Sequence, residues 1–226
     1  MTTDGARTAV LFDIDGTLMD SNYLHVRAWT TAFRQAGITV DTWRIHRAIG
    51  MDNSRLLDDL AGDADDAARV AAKDLHASQY AELAGELRRF DGVRPLLREI
   101  RDRGALIVLA TSAPPHELDR LREALDCDDL VDAVTNADDV AEAKPEPDIV
   151  QVALAAVGVE AGRAVMVGDA VWDGIAAQRV GVPFLAVRSG GSGPGELRGA
   201  GAVEVYEDVA VLHAMIDSSP IAPLLR

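Results

Sequence analysis

The stretch Thr8-Ala9-Val10-Leu11-Phe12-Asp13-Ile14-Asp15-Gly16-Thr17 decides how this chain is read. Thr8 to Phe12 is short, apolar and rich in β-formers, the pattern of a strand buried on both faces. It runs straight into a polar turn with two carboxylates, Asp13 and Asp15. A buried strand ending in acidic residues suggests a sheet that carries chemistry beyond its carboxyl edge.

Outward from this stretch the chain divides in two. Downstream, Val26, Trp29, Phe33 and Ala36 fall on one helical face that Gly37 ends, and further helices are expected over Thr42–Ile49, Asn53–Leu60 and Asp65–Leu83. No strand is expected between Ser21 and Phe90. From Val93 the pattern alternates. Strands over Ala105–Ala110, Val131–Thr135, Ala164–Val167, Pro183–Val187 and Ala202–Val205 are interleaved with helices over Pro95–Arg103, Pro115–Leu125, Pro147–Val157 and Val171–Val180, and Val209–Ile216 is a last helix. Such alternation means βαβ units and a parallel sheet. The expected fold is therefore α/β, a Rossmann-like three-layer core with a mostly parallel sheet. A small all-helical cap is inserted after the first strand. The core spans 1–20 and 92–226 and the cap 21–91.

Composition narrows the function. Of 226 residues, 48% are apolar, enough for a real core, and only 4% are aromatic, so Ala, Val and Leu do most of the packing. The formal net charge of −15 disfavours nucleic acid and anionic membranes as partners. No run approaches the roughly 18 apolar residues of a membrane span. Met1 to Arg7 is polar and acidic, unlike a secretory signal. Cys127 is the single cysteine, which excludes an intrachain disulfide and suits a reducing cytoplasm.

The strand ends gather the candidate chemistry. Asp13 and Asp15 follow the first strand, Thr111 and Ser112 the second, Gly168 and Asp169 the fourth, with Asp173 one helical turn on. Lys144 lies in the turn Lys144-Pro145-Glu146-Pro147. Each alone is an ordinary turn, cap or surface residue. Together, Asp13, Asp15, Asp169 and Asp173 would repel one another unless a cation is present or some are protonated. A hard divalent cation with oxygen ligands, most simply Mg2+, resolves that conflict.

Asp13-Ile14-Asp15-Gly16-Thr17 resembles the signature of the haloacid dehalogenase superfamily. Thr111, Lys144 before Pro145, and Gly168-Asp169 with Asp173 follow in the order and spacing of that family's later motifs, over essentially the whole chain. The helical insert resembles the cap that many members carry at this position. The resemblance implies a cytoplasmic phosphatase of small phosphorylated metabolites. In it Asp13 is the nucleophile and Asp15 the general acid and then base. Thr111 donates its hydroxyl to the phosphoryl group, Lys144 neutralises charge between Asp13 and that group, and Ser112 and His25 join them in binding substrate. Mg2+ is held by Asp13, Asp169 and the main-chain carbonyl of Asp15, and Asp173 supports it.

Asp15 and Asp169 argue against a metal-free dehalogenase, and Lys73 reads as a surface lysine rather than a Schiff-base residue. The run from Asp20 to Trp29, with His25 and Arg27, also resembles the start of the cap in β-phosphoglucomutases. The turn Ile49-Gly50-Met51-Asp52-Asn53 lacks the basic residue those enzymes use for a second phosphate. A sugar phosphomutase is therefore the alternative, and a non-catalytic phospho-ligand-binding protein a third reading.

His25 either bonds Asp15 and lines the substrate pocket or packs near the hinge. Arg44, His46 and Arg47 are read as a solvated helix face, Trp172 as packing beside the site, and Gly190 to Gly195 as a flexible connection. Asp20 and Ser21 are expected to cap the first cap helix, and Gly92 to free the second link. Phosphoglycolate, a sugar phosphate and a nucleotide all remain open as substrate.

Overall fold

The computed structural model describes residues 7–136, 144 and 146–225; the polar start read above, residues 1–6, and Pro145 of the lysine turn lie outside them. The strands β1 (Ala9–Phe12), β2 (Leu106–Ala110), β3 (Ala133–Thr135), β4 (Ala164–Gly168), β5 (Phe184–Val187) and β6 (Ala202–Tyr206) form one sheet. Every pairing is parallel, and the spatial order is β3-β2-β1-β4-β5-β6. The chain leaves the central β1 to one side, then returns past it to build β4 on the other. That reversal opens a crevice at the carboxyl ends of β1 and β4, the place where parallel sheets bind ligands. Asp13 and Asp169 stand there.

The period-2 alternation of the strands sorts their side chains. Val10, Phe12, Ile107, Leu109, Val165, Val167, Leu185 and Val187 face one apolar layer, built with α5 (Val93–Asp102), α6 (Pro115–Leu125) and α10 (Val209–Ala214). Ala9, Leu11, Val108, Ala110, Ala164, Met166, Phe184 and Ala186 face the other, built with α7 (Asp148–Val157), α8 (Val171–Val180) and α9 (Pro194–Gly199). Each large side chain so buried contributes about 1.5–3 kcal/mol by transfer from water. A charge at Phe12 or Leu11 would be buried without a partner and would break the sheet at its centre.

Between β1 and β2 lie α1 (Asn22–Gln35), α2 (Thr42–Ala48), α3 (Asn53–Ala61) and α4 (Asp66–Glu82), with no named strand among them, as expected. They bury an apolar cluster of their own, including Trp29, Phe33, Ile45, Leu56 and Leu60. Lys73 on α4 is exposed, a surface lysine as read.

Three expectations are corrected. The helix predicted from Pro95 begins at Val93. Gly92 turns the chain into it with φ of 85°, and Pro95 sits in the first turn, where a missing N–H costs no hydrogen bond. The third strand begins at Ala133 rather than Val131. The glycine-rich segment is no mere connection, because it contains α9. Pro194 opens that helix, and the Glu196 carboxylate accepts from Gly193 N at 3.1 Å.

Candidate active site

Asp13 N continues the sheet ladder by donating to Val167 O at 3.0 Å, so the backbone fixes where its carboxylate points. Lys144, fully buried, reaches across from a separate segment. Its Nζ donates to Asp13 Oδ1 at 2.5 Å and to Ala110 O at 3.1 Å, and lies 2.8 Å from Asp173 Oδ1. Burial alone would strip the proton from this ammonium, but Asp13 and Asp173 outweigh it and raise its pKa. Asp173 also caps α8, accepting from Ala170 N at 3.1 Å.

Asp169 is held from two sides. Thr17 Oγ1 donates to its Oδ1 at 2.9 Å, and Asn22 Nδ2 donates to its Oδ2 at 2.8 Å. One oxygen each of Asp13, Asp169 and Asp173 lies within 4.8 Å of the others, and all three residues are buried. The Asp15 carboxylate is not one of this trio. Burial, opposed by Lys144 and reinforced by Asp173 and Asp15, raises the Asp13 carboxyl to about 7. Burial, with Asp13 and Asp173, raises Asp169 well above the carboxylate range. Three buried carboxylates this close together are a donor set a hard divalent cation would suit.

The Asp15 side chain belongs to a different network. Ser21 Oγ donates to its Oδ1 at 2.6 Å, and His25 Nε2 lies 3.4 Å from the same oxygen. Burial would raise the Asp15 carboxyl, but the hydrogen bond and charge of His25, helped by Ser21, lower it. His25 is raised in turn, Asp15 overcoming its burial. A proton shared by the pair is therefore favoured on His25 over Asp15. His25 stacks on Tyr80 with ring centroids 3.9 Å apart, and its Nδ1 lies 3.2 Å from His76 Nε2. His76 stacks on Trp29 at 4.1 Å. Ser21 is thus spent on Asp15 and makes no side-chain cap on α1, contrary to expectation.

Thr111 and Ser112 follow β2. The Thr111 Oγ1 accepts from Ala113 N at 3.0 Å, which leaves its proton free to donate. Asp13, Asp15, His25, Thr111 and Ser112 line one half-open cavity of about 50 Å3, together with Ile49, Gly50, Met51 and Asn53 from the helical layer. His25 accordingly both touches Asp15 and lines the pocket. Asp169 opens instead onto a wider cleft of about 330 Å3, lined also by Trp43, Arg44, His46, Arg47 and Trp172.

That cleft corrects two readings. His46 is not simply solvated, although Arg47 is exposed as read. The His46 Nε2 lies 2.9 Å from Gly190 O, Arg47 pairs with Glu196, and Trp172 Nε1 donates to Arg47 O at 3.3 Å. Gly190 is no flexible spacer either. A Cβ there would strike the Asp169 carboxylate, and one on Gly191, at φ 95°, would press on Tyr23 and His46. Only glycine lets this loop pass between Asp169 and the helices.

The structure thus brings together Asp13, Lys144, Asp169 and Asp173 on one side, and Asp15, His25, Thr111 and Ser112 around the adjoining cavity. Sequence reasoning missed Thr17, Ser21, Asn22, Gly190 and Glu117 as site residues. Thr17 closes the DxDGT run and could have been read as a second donor to the site. Asn22 and Glu117 carry no local signal.

A parallel α/β sheet with buried carboxylates at its switch point defines an enzyme core of the Rossmann-like class. The sequence profile of the haloacid dehalogenase-like hydrolases matches residues 8–181. The chain belongs to that family. It is 29% identical over 221 residues to a phosphoglycolate phosphatase (plasmid) of Cupriavidus necator, covering 96% of each chain. The crystal structure of a hydrolase from Pseudomonas syringae matches with a TM-score of 0.89 at 33% identity, covering 94% of this chain and 99% of that one. A β-phosphoglucomutase from Clostridium difficile matches with a TM-score of 0.79 at 20% identity, covering 90% and 92% of the two chains, a likeness of fold alone. The protein is an enzyme of the hydrolase type, in agreement with the phosphoric monoester hydrolase expected from the sequence. Among the described residues no helix is long and apolar enough to cross a membrane.

Proposed function

We propose that this hydrolase is a Mg2+-dependent phosphatase of small phosphate monoesters that forms an aspartyl phosphate on Asp13. The observation that carries the reading is the Asp13 carboxylate itself. It is buried at the sheet's switch point and paired with the buried Lys144, with Thr111 and Asp15 on the same cavity. An Asp13 oxygen attacks phosphorus, and the ester oxygen leaves with the proton stored on the Asp15–His25 pair and delivered by Asp15. Asp15 then takes a proton from water, whose oxygen attacks the same phosphorus and frees Asp13 and inorganic phosphate. Thr111 donates its hydroxyl to the phosphoryl oxygens, Ser112 lies beside it, and Lys144 offsets their charge, so positioning and electrostatics supply most of the acceleration. Asp13, Asp169, Asp173 and the main-chain carbonyl of Asp15 would hold Mg2+, which when bound supplies positive charge against the phosphoryl oxygens and the crowded carboxylates.

Residues 21–91 act as a cap on a core of 1–20 and 92–226. Cap residues Ile49, Gly50, Met51 and Asn53 line the catalytic cavity, and the cap closes on the ester and reopens in each turnover. A phosphomutase would need a cation for a second phosphate, and among the described residues this cavity's lining includes no lysine or arginine. The test is a screen of the purified protein with Mg2+ against phosphate monoesters, with a bisphosphorylated sugar in parallel. Release of inorganic phosphate is expected. Isomerisation without net release would replace the phosphatase by the mutase.

A further inference from the structure

Two polar atoms in the wall of the catalytic cavity have no partner in the protein. Glu117, near the start of α6, is 3% exposed, and its Oε1 is buried without a hydrogen bond. Exposed His116 places its Nε2 3.8 Å away, too far for a hydrogen bond. Ser112 Oγ, five residues earlier and in the same lining, is likewise buried and unpartnered. Buried polar atoms are nearly always satisfied, because an orphan costs about 1–3 kcal/mol. Two orphans on one wall, beside Asp15, therefore await a ligand. They sit where the leaving group of a phosphate ester must lie, since Asp15 protonates its ester oxygen.

We propose that Glu117 and Ser112 form the subsite for the leaving group and select a neutral, hydroxyl-bearing one, so that the substrate class is the phosphate ester of a small polyol or sugar. A substrate hydroxyl donates to Glu117 Oε1, and a second polar atom exchanges a hydrogen bond with Ser112 Oγ. Asn53, at the start of α3, faces the same cavity and offers both donor and acceptor. A leaving group with a carboxylate is excluded by charge. It would add a further acid beside Asp13, Asp15 and Glu117, and His25, the one basic lining residue among those described, is already engaged by Asp15 and His76. Burial raises the Glu117 carboxyl, and its ionised form is the one that both accepts from a hydroxyl and repels a carboxylate. This assignment rests on the phosphatase reading above and departs from the phosphoglycolate named for the Cupriavidus necator relative.

The test uses the full chain with Mg2+ and four esters: p-nitrophenyl phosphate, ethyl phosphate, 2-hydroxyethyl phosphate and phosphoglycolate. The last two differ only in a hydroxymethyl against a carboxylate. The expected kcat/KM for 2-hydroxyethyl phosphate exceeds those for ethyl phosphate and phosphoglycolate by about tenfold or more. In Glu117→Leu the hydroxyethyl-to-ethyl ratio collapses towards one. In Glu117→Gln, which keeps the shape and one acceptor, that ratio survives while phosphoglycolate gains about tenfold against it. A purely structural Glu117 would scale all four esters together. Phosphoglycolate as the preferred ester, or ratios unmoved in both variants, overturns the proposal. Cleavage of p-nitrophenyl phosphate without the expected pattern leaves the phosphatase standing and removes this inference; no cleavage of any ester removes both.

Discussion

The two sides of the catalytic centre are built on opposite principles. Around Asp13 and Asp169 the acids are crowded and held by fixed partners: Lys144 on Asp13, Thr17 and Asn22 on Asp169, and Ala170 N on Asp173, whose Oδ1 has only the charge of Lys144 beside it. Around the cavity beyond Asp15 the wall is left wanting, with Glu117 Oε1 and Ser112 Oγ unpaired. The first side is preorganised for chemistry that does not vary with the substrate. The second waits for a particular molecule. The contrast separates what sets the rate from what sets the choice of ester.

If the contrast holds, changes on the crowded side cost the most and affect every ester alike. Asp13→Asn should lower kcat on the order of 10^4-fold or more, with the fold intact by circular dichroism. Excess chelator should silence the wild-type enzyme just as fully, and Mg2+ should restore it. Activity that persists in chelator would break the crowded side of the comparison outright.

Gly190→Ala probes the same side from a distance. The new methyl would meet the Asp169 carboxylate, and a displacement of about 1 Å there should cost roughly 10^2-fold in kcat. Mg2+ titration of the activity should show weakened apparent affinity. Gly195→Ala, with nothing within 4 Å of the added Cβ, should leave both unchanged. Equal behaviour of the two variants would return the glycine run to a plain linker.

Ser21→Ala gives the smallest effect and sharpens the border between the sides. It removes the 2.6 Å hydrogen bond to Asp15, worth about 1.5 kcal/mol or roughly tenfold. The loss should fall on alkyl esters, which need protonation of the leaving oxygen. p-Nitrophenyl phosphate, whose leaving group is a good one, should be nearly spared. An equal loss on both would mean that Ser21 positions the helix rather than the acid.

These sides also differ in how far the sequence discloses them. β1 and β4 read correctly because a strand buried on both faces is a run of apolar residues, and the residue that follows its end is placed by the sheet. Asp13, Thr111 and Asp169 inherit their positions from that local rule. Lys144 was legible through its motif, although its partners lie far away in the chain.

Asn22 and Gly190 were not legible. Their contacts with Asp169 join segments 147 residues apart in the first case, and in the second depend on a missing side chain. Glycine richness reads as freedom until the crowding around it is seen. Ser21 was read as a helix cap because serine before a helix usually is one, and the competing partner, Asp15, is reached only once the chain has turned. Glu117 looks like any charged residue in the first turn of a helix; nothing local says that the turn is buried.

The most direct test of the account is to find where the phosphoryl group goes. The enzyme would be mixed with Mg2+ and radiolabelled acetyl phosphate, quenched in acid within one turnover and divided, one half digested with pepsin in acid to locate the label and the other reduced with borohydride, which displaces the phosphate, before digestion. The account predicts acid-stable, base-labile label on the peptide carrying Asp13, with Asp13 itself converted to homoserine, and no label in Asp13→Asn. Label on any other side chain, or phosphate release by Asp13→Asn at the wild-type rate, would contradict it.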